Sequence, residues 1–360
     1  MADVKARPKV RSRKYGAAIP LSDDDRRLLN LLQGKFPLLE RPFAPIASEL
    51  GWSEEQVVAR TAWLLRKRII REITPIFDTR ALGYRSMLVA ARVDPAHPHR
   101  AARVINSHPG VSHNYLRDHD FNLWFTIAVE PDSALGLEGT IEVLKRLSGA
   151  TSMRMLPTLR LFKIRMDLEM EAGTAGLAAP VEAVEPRDPQ PVALSEWDIA
   201  LIRATQGPMT VTSRPFDAAA ARLGGVSVDE VLEGLASLKE RGALRRVAAI
   251  LYHRRAGFSA NGMGVWKVPE ERVLEVGPRM AAFRGISHCY QRPTYPDWPY
   301  SLFTMAHGRS KAECDAILAA IARETGISER ATLYSSTEFK KVRLLYFVDD
   351  YRRWEEEHAS

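Results

Sequence analysis

The sequence predicts an α+β protein: a tandem duplication of a winged helix-turn-helix followed by a ferredoxin-like βαββαβ unit. Three observations predict it. A repeat runs through the chain at a nearly constant offset. The first part of each copy shows capped helical periodicity and closes on a short strand. The second part alternates strand and helix in the order β-α-β-β-α-β.

The repeat is legible residue by residue. Leu21-Ser22, Gln33-Gly34 and Arg41-Pro42-Phe43 recur, all at one offset, as Leu194-Ser195, Gln206-Gly207 and Arg214-Pro215-Phe216. A single inserted residue later, Arg71 and Gly83 recur as Arg245 and Gly257. Ser112-His113-Asn114-Tyr115-Leu116-Arg117 recurs as Ser287-His288-Cys289-Tyr290-Gln291-Arg292, and Lys163-Ile164-Arg165 as Lys341-Val342-Arg343, with only small further drift. So small a drift means duplication. The predicted organisation is a basic disordered tail over 1–20, a winged helix-turn-helix over 21–78 and a ferredoxin-like domain over 79–169. A linker over 170–193 follows, holding Pro180, Pro186, Pro189 and Pro191. The second copy occupies 194–252 and 253–350, with a tail over 351–360.

Each element has a local reason. Ser22 caps a first helix, with Asp23, Asp24 and Asp25 at its positive end and Leu28, Leu29, Leu31 and Leu32 on its apolar side. Residues 46–51 read as a short helix stopped by Gly51. Ser53 caps a third helix carrying Val57, Val58, Trp63 and Leu64, and 69–73 read as the wing strand. Ser195 and Ser227 cap the matching helices of the second copy. Strands are expected at 86–93, 111–115, 123–129 and 159–166, with helices at 101–107 and 135–147. The second copy repeats them with strands at 262–268, 286–290, 302–307 and 338–346 and helices at 273–282 and 311–324.

Composition sets the bounds. Of 360 residues, 46% are hydrophobic and 26% charged, ordinary for a globular chain. No apolar run reaches about 18 residues, and the first twenty residues have no signal-like apolar core, so a cytoplasmic protein without a membrane partner is expected. Cys289 and Cys314 form no C-x-x-C pair, and no metal site is expected. Of the net charge of +7, six basic residues against Asp3 place +5 in residues 1–20, so the body is close to neutral. The two copies are expected to pack face to face as an intramolecular pseudo-dimer, with a further homodimer left open.

A winged helix joined to a ferredoxin-like unit resembles the Lrp/AsnC regulators, which implies DNA binding. The third helix of each copy argues the other way. Asp229, Glu230 and Glu233 stand there in the second copy without a Lys or Arg up to Leu238. Between Ser53 and Leu65 in the first stand Glu54 and Glu55, opposed only by Arg60. Acidic side chains repel phosphate, and only Gln56 is suited to read a base edge. No specific nucleic acid is expected as a partner.

Three stretches are too polar and aromatic for ordinary strands: 112–126, 245–261 and 287–304. Residues two apart on a strand share a face, which groups His113 with Tyr115 and Arg117, and His288 with Tyr290 and Arg292. Such a face is costly to bury without anionic partners and cheap if it lines a polar cavity. These stretches, above all Tyr295-Pro296-Asp297-Trp298-Pro299-Tyr300, resemble the siroheme decarboxylases of haem d1 and alternative haem biosynthesis. The resemblance spans about 20–350. It implies a fused form of two subunit types that converts sirohaem to 12,18-didecarboxysirohaem, losing two acetate carboxylates as CO2. It also implies no cofactor, iron entering only within the substrate.

The residue chemistry agrees. A flat macrocycle bearing many carboxylates needs arginines and aromatic walls. Loss of CO2 leaves a carbanion that must gain a proton, for which histidine is suited. The main cavity is expected in the second copy, with His288 as leading proton donor and Arg246 and Arg254 as carboxylate clamps. His113 and His119 hold the equivalent roles in the first copy. Arg117, His253, Arg255, Asn261, Arg292, Tyr295, Trp298 and Tyr300 are expected to bind the substrate, the aromatic loop covering the ring. Lys340 and Lys341 are expected beside the same cavity, on a propionate. A tetrapyrrole-sensing Lrp/AsnC-like regulator and a non-catalytic tetrapyrrole carrier remain as alternatives.

Overall fold

The computed structural model describes residues 21–34, 36–164, 190–252 and 260–358. The first copy contains α1 (Asp23–Gly34), α2 (Phe43–Leu50), α3 (Glu54–Arg66), β1 (Ile70–Phe77), β2 (Arg85–Arg92), α4 (Pro98–Ser107), β3 (Val111–Arg117), β4 (Leu123–Val129), α5 (Gly136–Ser148), β5 (Ser152–Met155) and β6 (Arg160–Ile164). The second contains α6 (Glu196–Thr205), α7 (Asp217–Arg222), α8 (Val228–Glu240), β7 (Leu244–Leu251), β8 (Ala260–Trp266), α9 (Val273–Ala281), β9 (Ile286–Gln291), β10 (Leu302–Gly308), α10 (Lys311–Thr325), β11 (Arg330–Lys341) and α11 (Asp350–His358).

The predicted caps are in place. Ser53, Ser195 and Ser227 each close a capping box with the residue three positions on. Ser22 exchanges hydrogen bonds with Asp25 at 3.1 Å in both directions. Gly51 stops α2 in the left-handed region at φ 71°, a conformation that costs a glycine little.

The two copies are interleaved. The wings β1 and β7 pair antiparallel with each other. Val247 and Ala249 of the second wing are buried with Leu28, Leu32 and Leu64 of the first helical unit. Phe77, Leu82 and Tyr84 of the first copy are buried with Leu201, Leu235 and Leu238 of the second.

The ferredoxin-like halves share one nine-stranded sheet, in the order β5-β2-β4-β3-β11-β8-β10-β9-β6. Strand β11 leaves the second copy's sheet and continues along β3 of the first. Strand β6 of the first copy likewise pairs with β9 of the second. The end strands β5 and β6 are separated by only residues 156–159, so the sheet curls until its two ends meet. Helices α4 and α5 cover the outside of one half, and α9 and α10 the other. The inside holds a joint core of Trp124, Phe121 and Leu156 with Trp298, Phe303 and Leu333.

The expected face-to-face packing is therefore joined by strand exchange at both edges: the twelve-residue β11 runs from β8 onto β3, and β6 follows β5 across to β9. The last strand of the second copy runs over Arg330–Lys341 rather than 338–346. The region expected as a tail over 351–360 contains helix α11, whose Tyr351 and Trp354 are buried. Its acidic and basic residues masked an apolar stripe that packs on α4 and the second helical unit.

Candidate functional site

Strands β3 and β9 present the repeated face. His113 stacks on Tyr115 with ring centroids 6.2 Å apart and planes at 30°; His288 lies on Tyr290 at 5.9 Å and 30°. All four rings are half-buried. Asn114 and Cys289 point to the opposite, fully buried side. Burial is the first cause holding both histidines below the usual imidazole range.

The third residue of each face crosses between copies. Arg117 donates through Nη1 to the Leu333 carbonyl at 2.9 Å, and Arg292 donates through Nη1 to the Leu156 carbonyl. Arg117 also lies over Trp124 at 5.7 Å, and Arg292 over Phe303 at 5.4 Å. Burial brings both guanidinium groups down to about 10. The Nε atoms of Arg117 and Arg292 are buried without a protein acceptor, as is Nε of Arg92, which lies 4.7 Å over Phe121. Cationic donors left in this state suit an anionic partner.

The surroundings of the two histidines differ. Lys341 stands opposite His113, and Ile164 stands opposite His288. Lys340 pairs with Asn114 as Lys163 pairs with Cys289. The structural equivalent of Lys163 is thus Lys340, one position before the Lys341 that the sequence match implied. Lys340 and Lys341 therefore lie beside the first copy's histidine and not, as expected, beside His288. The Lys340 ammonium donates to the carbonyls of Asn106 and His108 at 2.9 and 3.4 Å. Lys341 and Arg71 add positive charge at His113, and Glu338 opposes them.

Behind His288 runs a chain of hydrogen bonds. Its Nδ1 lies 2.6 Å from Ser287 Oγ, which lies 2.5 Å from His307 Nε2; His307 Nδ1 lies 2.8 Å from Asn261 Oδ1. In the first copy Ser112 Oγ meets Thr126 Oγ1 at 2.8 Å and His113 Nδ1 at 3.0 Å. Asn261 thus bonds His307, its partner across the β8–β10 ladder.

The aromatic loop is placed differently from the expectation. Trp298 is 0% exposed and cannot cover a ring from outside; Phe121, Trp124 and Tyr300 surround it at centroid distances of 5.3, 5.3 and 4.9 Å. A large indole with apolar neighbours on both copies is worth more in the core than at a rim. The loop is docked on β5: Asp297 accepts from Arg154 at 2.8 Å and from Ser152 at 2.9 Å, and Tyr295 donates to the Met155 carbonyl at 2.5 Å. Tyr295 and Tyr300 are half-buried.

His119, from the first copy, stands 5.5 Å from Trp298 and 6.3 Å from Tyr300 of the second. Arg246 is exposed on β7, in the wing sheet rather than on the nine-stranded sheet. His253, Arg254 and Arg255 lie outside the described residues. The sequence reading missed Arg71, Arg92, Arg154 and His307 as site residues. A charged or titratable residue on a core-facing strand was the available signal for Arg92 and His307.

Fold and site together define a duplicated helix-turn-helix and ligand-binding protein whose two halves build one shared sheet. Residues 81–163 and 255–340 match the family described as AsnC-like ligand binding domain, and residues 25–71 and 198–245 match the siroheme decarboxylase NirDL-like HTH domain. A siroheme decarboxylase of Hydrogenobacter thermophilus is 42% identical over 93% of this chain and 98% of its own. The alpha and beta siroheme decarboxylase subunits of Desulfovibrio desulfuricans, separate proteins, are 39% and 40% identical over 41% of this chain, covering 83% and 94% of their own lengths. The crystal structure of the siroheme decarboxylase NirDL in complex with an iron-uroporphyrin III analogue superposes with a TM-score of 0.76 at 36% identity, covering 94% of this chain and 99% of that one. The chain belongs to the siroheme decarboxylase family, in its fused form.

Proposed function

We propose that this chain is a siroheme decarboxylase, a carboxy-lyase that converts sirohaem to 12,18-didecarboxysirohaem. The observation that carries the reading is the pair of His-Tyr-Arg faces, each ending in an arginine whose buried Nε lacks a protein acceptor. Family membership names the matching anion. The iron belongs to the substrate, and the balanced step moves a proton and no electron, so the reading calls for no separate cofactor.

Heterolysis of the acetate C–C bond releases CO2 and leaves an electron pair on the methylene. One proton then closes it to a methyl group. His288 is the proposed donor, with His113 in the same role if the first copy works. Arg117 and Arg292 bind carboxylate through donors already desolvated, so no reorganisation is needed when substrate arrives. Tyr295, Tyr300 and His119 form the contact between copies beside that face, and Lys341 is a carboxylate contact of the first copy. Arg246, exposed on the wing, serves in this reading only as an outer carboxylate contact.

A regulator is the less favoured reading. Arg60, the cation in the middle of α3, is held by Asp25 at 2.6 and 2.7 Å, which removes it from a phosphate-binding role. No helix among the described residues is long and apolar enough to cross a membrane. Cys289 and Cys314 are free and buried, as suits a reducing cytoplasm.

The test is anaerobic incubation of the purified chain with sirohaem, followed by mass spectrometry of the tetrapyrrole. Loss of the mass of two CO2 is expected. Tight binding with no change of mass would establish a carrier instead.

A further inference from the structure

The two histidine faces match in geometry but not in what stands behind them. Val111 pairs with Ile127 as Ile286 pairs with Ala306, so the next residues, Ala128 and His307, occupy equivalent places. The first copy therefore has a methyl group where the second has an imidazole. Ser287 Oγ bridges that imidazole to His288 Nδ1, at 2.5 and 2.6 Å, and Asn261 holds its far nitrogen at 2.8 Å. Asn261 is exposed, His307 and His288 half-buried and Ser287 buried. The chain thus runs from solvent to the inner face of the sheet. In the first copy the hydroxyl meeting Ser112 is Thr126, which holds no spare proton near neutral pH.

We propose that Ser287 and His307 form a proton reserve behind His288, making the second copy the half that protonates the decarboxylated methylene. The proposal rests on the decarboxylase reading. The departing CO2 leaves its electron pair on the ring methylene. His288 gives that carbon the proton on Nε2. At the same time Nδ1 takes the Ser287 hydroxyl proton, and Ser287 takes the Nε2 proton of a cationic His307. His307 ends neutral, with Nδ1–H still donated to Asn261 Oδ1. When product leaves, a solvent proton at His288 Nε2 drives the same hops backwards and restores the His307 cation. No oxidant or metal is needed.

The arrangement has a physical purpose. A flat substrate lying over His288 shuts water out of the face that must supply the proton. A charge held one serine away avoids placing two cations on adjacent rings, and it sits on the solvent side of the substrate. His307 and Ser287 are positioning residues here, since neither touches the reacting carbon.

The test compares native protein with His307→Gln and Ser287→Ala, using sirohaem as both ligand and substrate. Native protein must first decarboxylate sirohaem; if it does not, the decarboxylase reading has failed, and the reserve with it. Given that activity, His307→Gln is expected to lower kcat about tenfold while sirohaem binding, followed by absorbance, stays within twofold. Added imidazole should restore part of the rate. The proton inventory in mixed H2O and D2O should change from curved to linear, a readout that a packing role does not move. Ser287→Ala should give the same change without altering His307 itself. Native kcat and a curved inventory in both variants would overturn the proposal, as would equal losses of binding and rate.

Discussion

Lys341 stands directly across the β3–β11 ladder from His113, although the two residues belong to different copies. Its counterpart opposite His288 is Ile164. The exchange of β11 onto β3 thus gives His113 a cationic neighbour from the other copy. Lys341 and Arg71 favour the neutral form of His113, on top of burial. Lys341→Met is therefore expected to raise the His113 pKa and to leave that of His288 unchanged. Histidine ring NMR titration reads both; an unchanged His113 would remove Lys341 from the site.

Much of this was legible in the sequence. Serine caps, glycine stops and period-two faces are local signals, and they set the helices and the paired His-Tyr-Arg strands. What failed to show was which copy completes which. The path of β11 onto β3 depends on edge pairing between segments from opposite ends of the duplication, and nothing local to Lys340 or Lys341 reports it. Trp298 misled for a related reason. A loop rich in Tyr, Trp and Pro reads as a surface feature until Phe121 and Trp124 arrive from the other copy to bury it.

Replacing either crossing arginine should cost binding before chemistry. Each is half-buried, donates to a carbonyl of the other copy and has a buried Nε with no protein acceptor. Lysine keeps the charge but not the planar fork. Arg292→Lys and Arg117→Lys are each expected to weaken sirohaem binding at least tenfold, about 1.4 kcal/mol. Binding isotherms check this, and native affinity in both would move the carboxylate site elsewhere.

The docked loop makes a stability prediction. Trp298 is fully buried among rings from both copies. Truncation to alanine should destabilise by roughly 3–5 kcal/mol. Asp297→Asn should cost less, because the ion pair with Arg154 is partly exposed and solvent screens it. Thermal melts rank the two; the reverse order would mean that the loop is held by charge rather than by packing.

DNA affinity is expected to be weak and insensitive to sequence. The third helices carry acidic first turns, and Arg60 is committed to Asp25. Most of the net charge lies within residues 1–20, so removing them should abolish most residual binding and flatten its salt dependence. Nanomolar, sequence-specific binding at physiological salt would reverse the preference between enzyme and regulator.

The pH profile follows from the burial of His288. Burial alone lowers its pKa from the ordinary 6.5, because desolvation disfavours the imidazolium. Its neighbour His307 is lowered too, first by burial and then by His288 itself. Two imidazoles joined through Ser287 titrate as a pair, and their apparent values belong to the pair. The cationic pair is the competent acid, so rate should be lost as pH rises. For the free enzyme, which kcat/KM reports, that loss should have its midpoint below 6.5. Substrate carboxylates favour the cation, so the midpoint in kcat should lie higher than the one in kcat/KM. His288→Ala should cut kcat about a hundredfold or more, with binding largely kept, and should erase this limb. A His288→Ala enzyme of native rate beside an inactive His119→Ala or His113→Ala enzyme would place the working acid in the first copy.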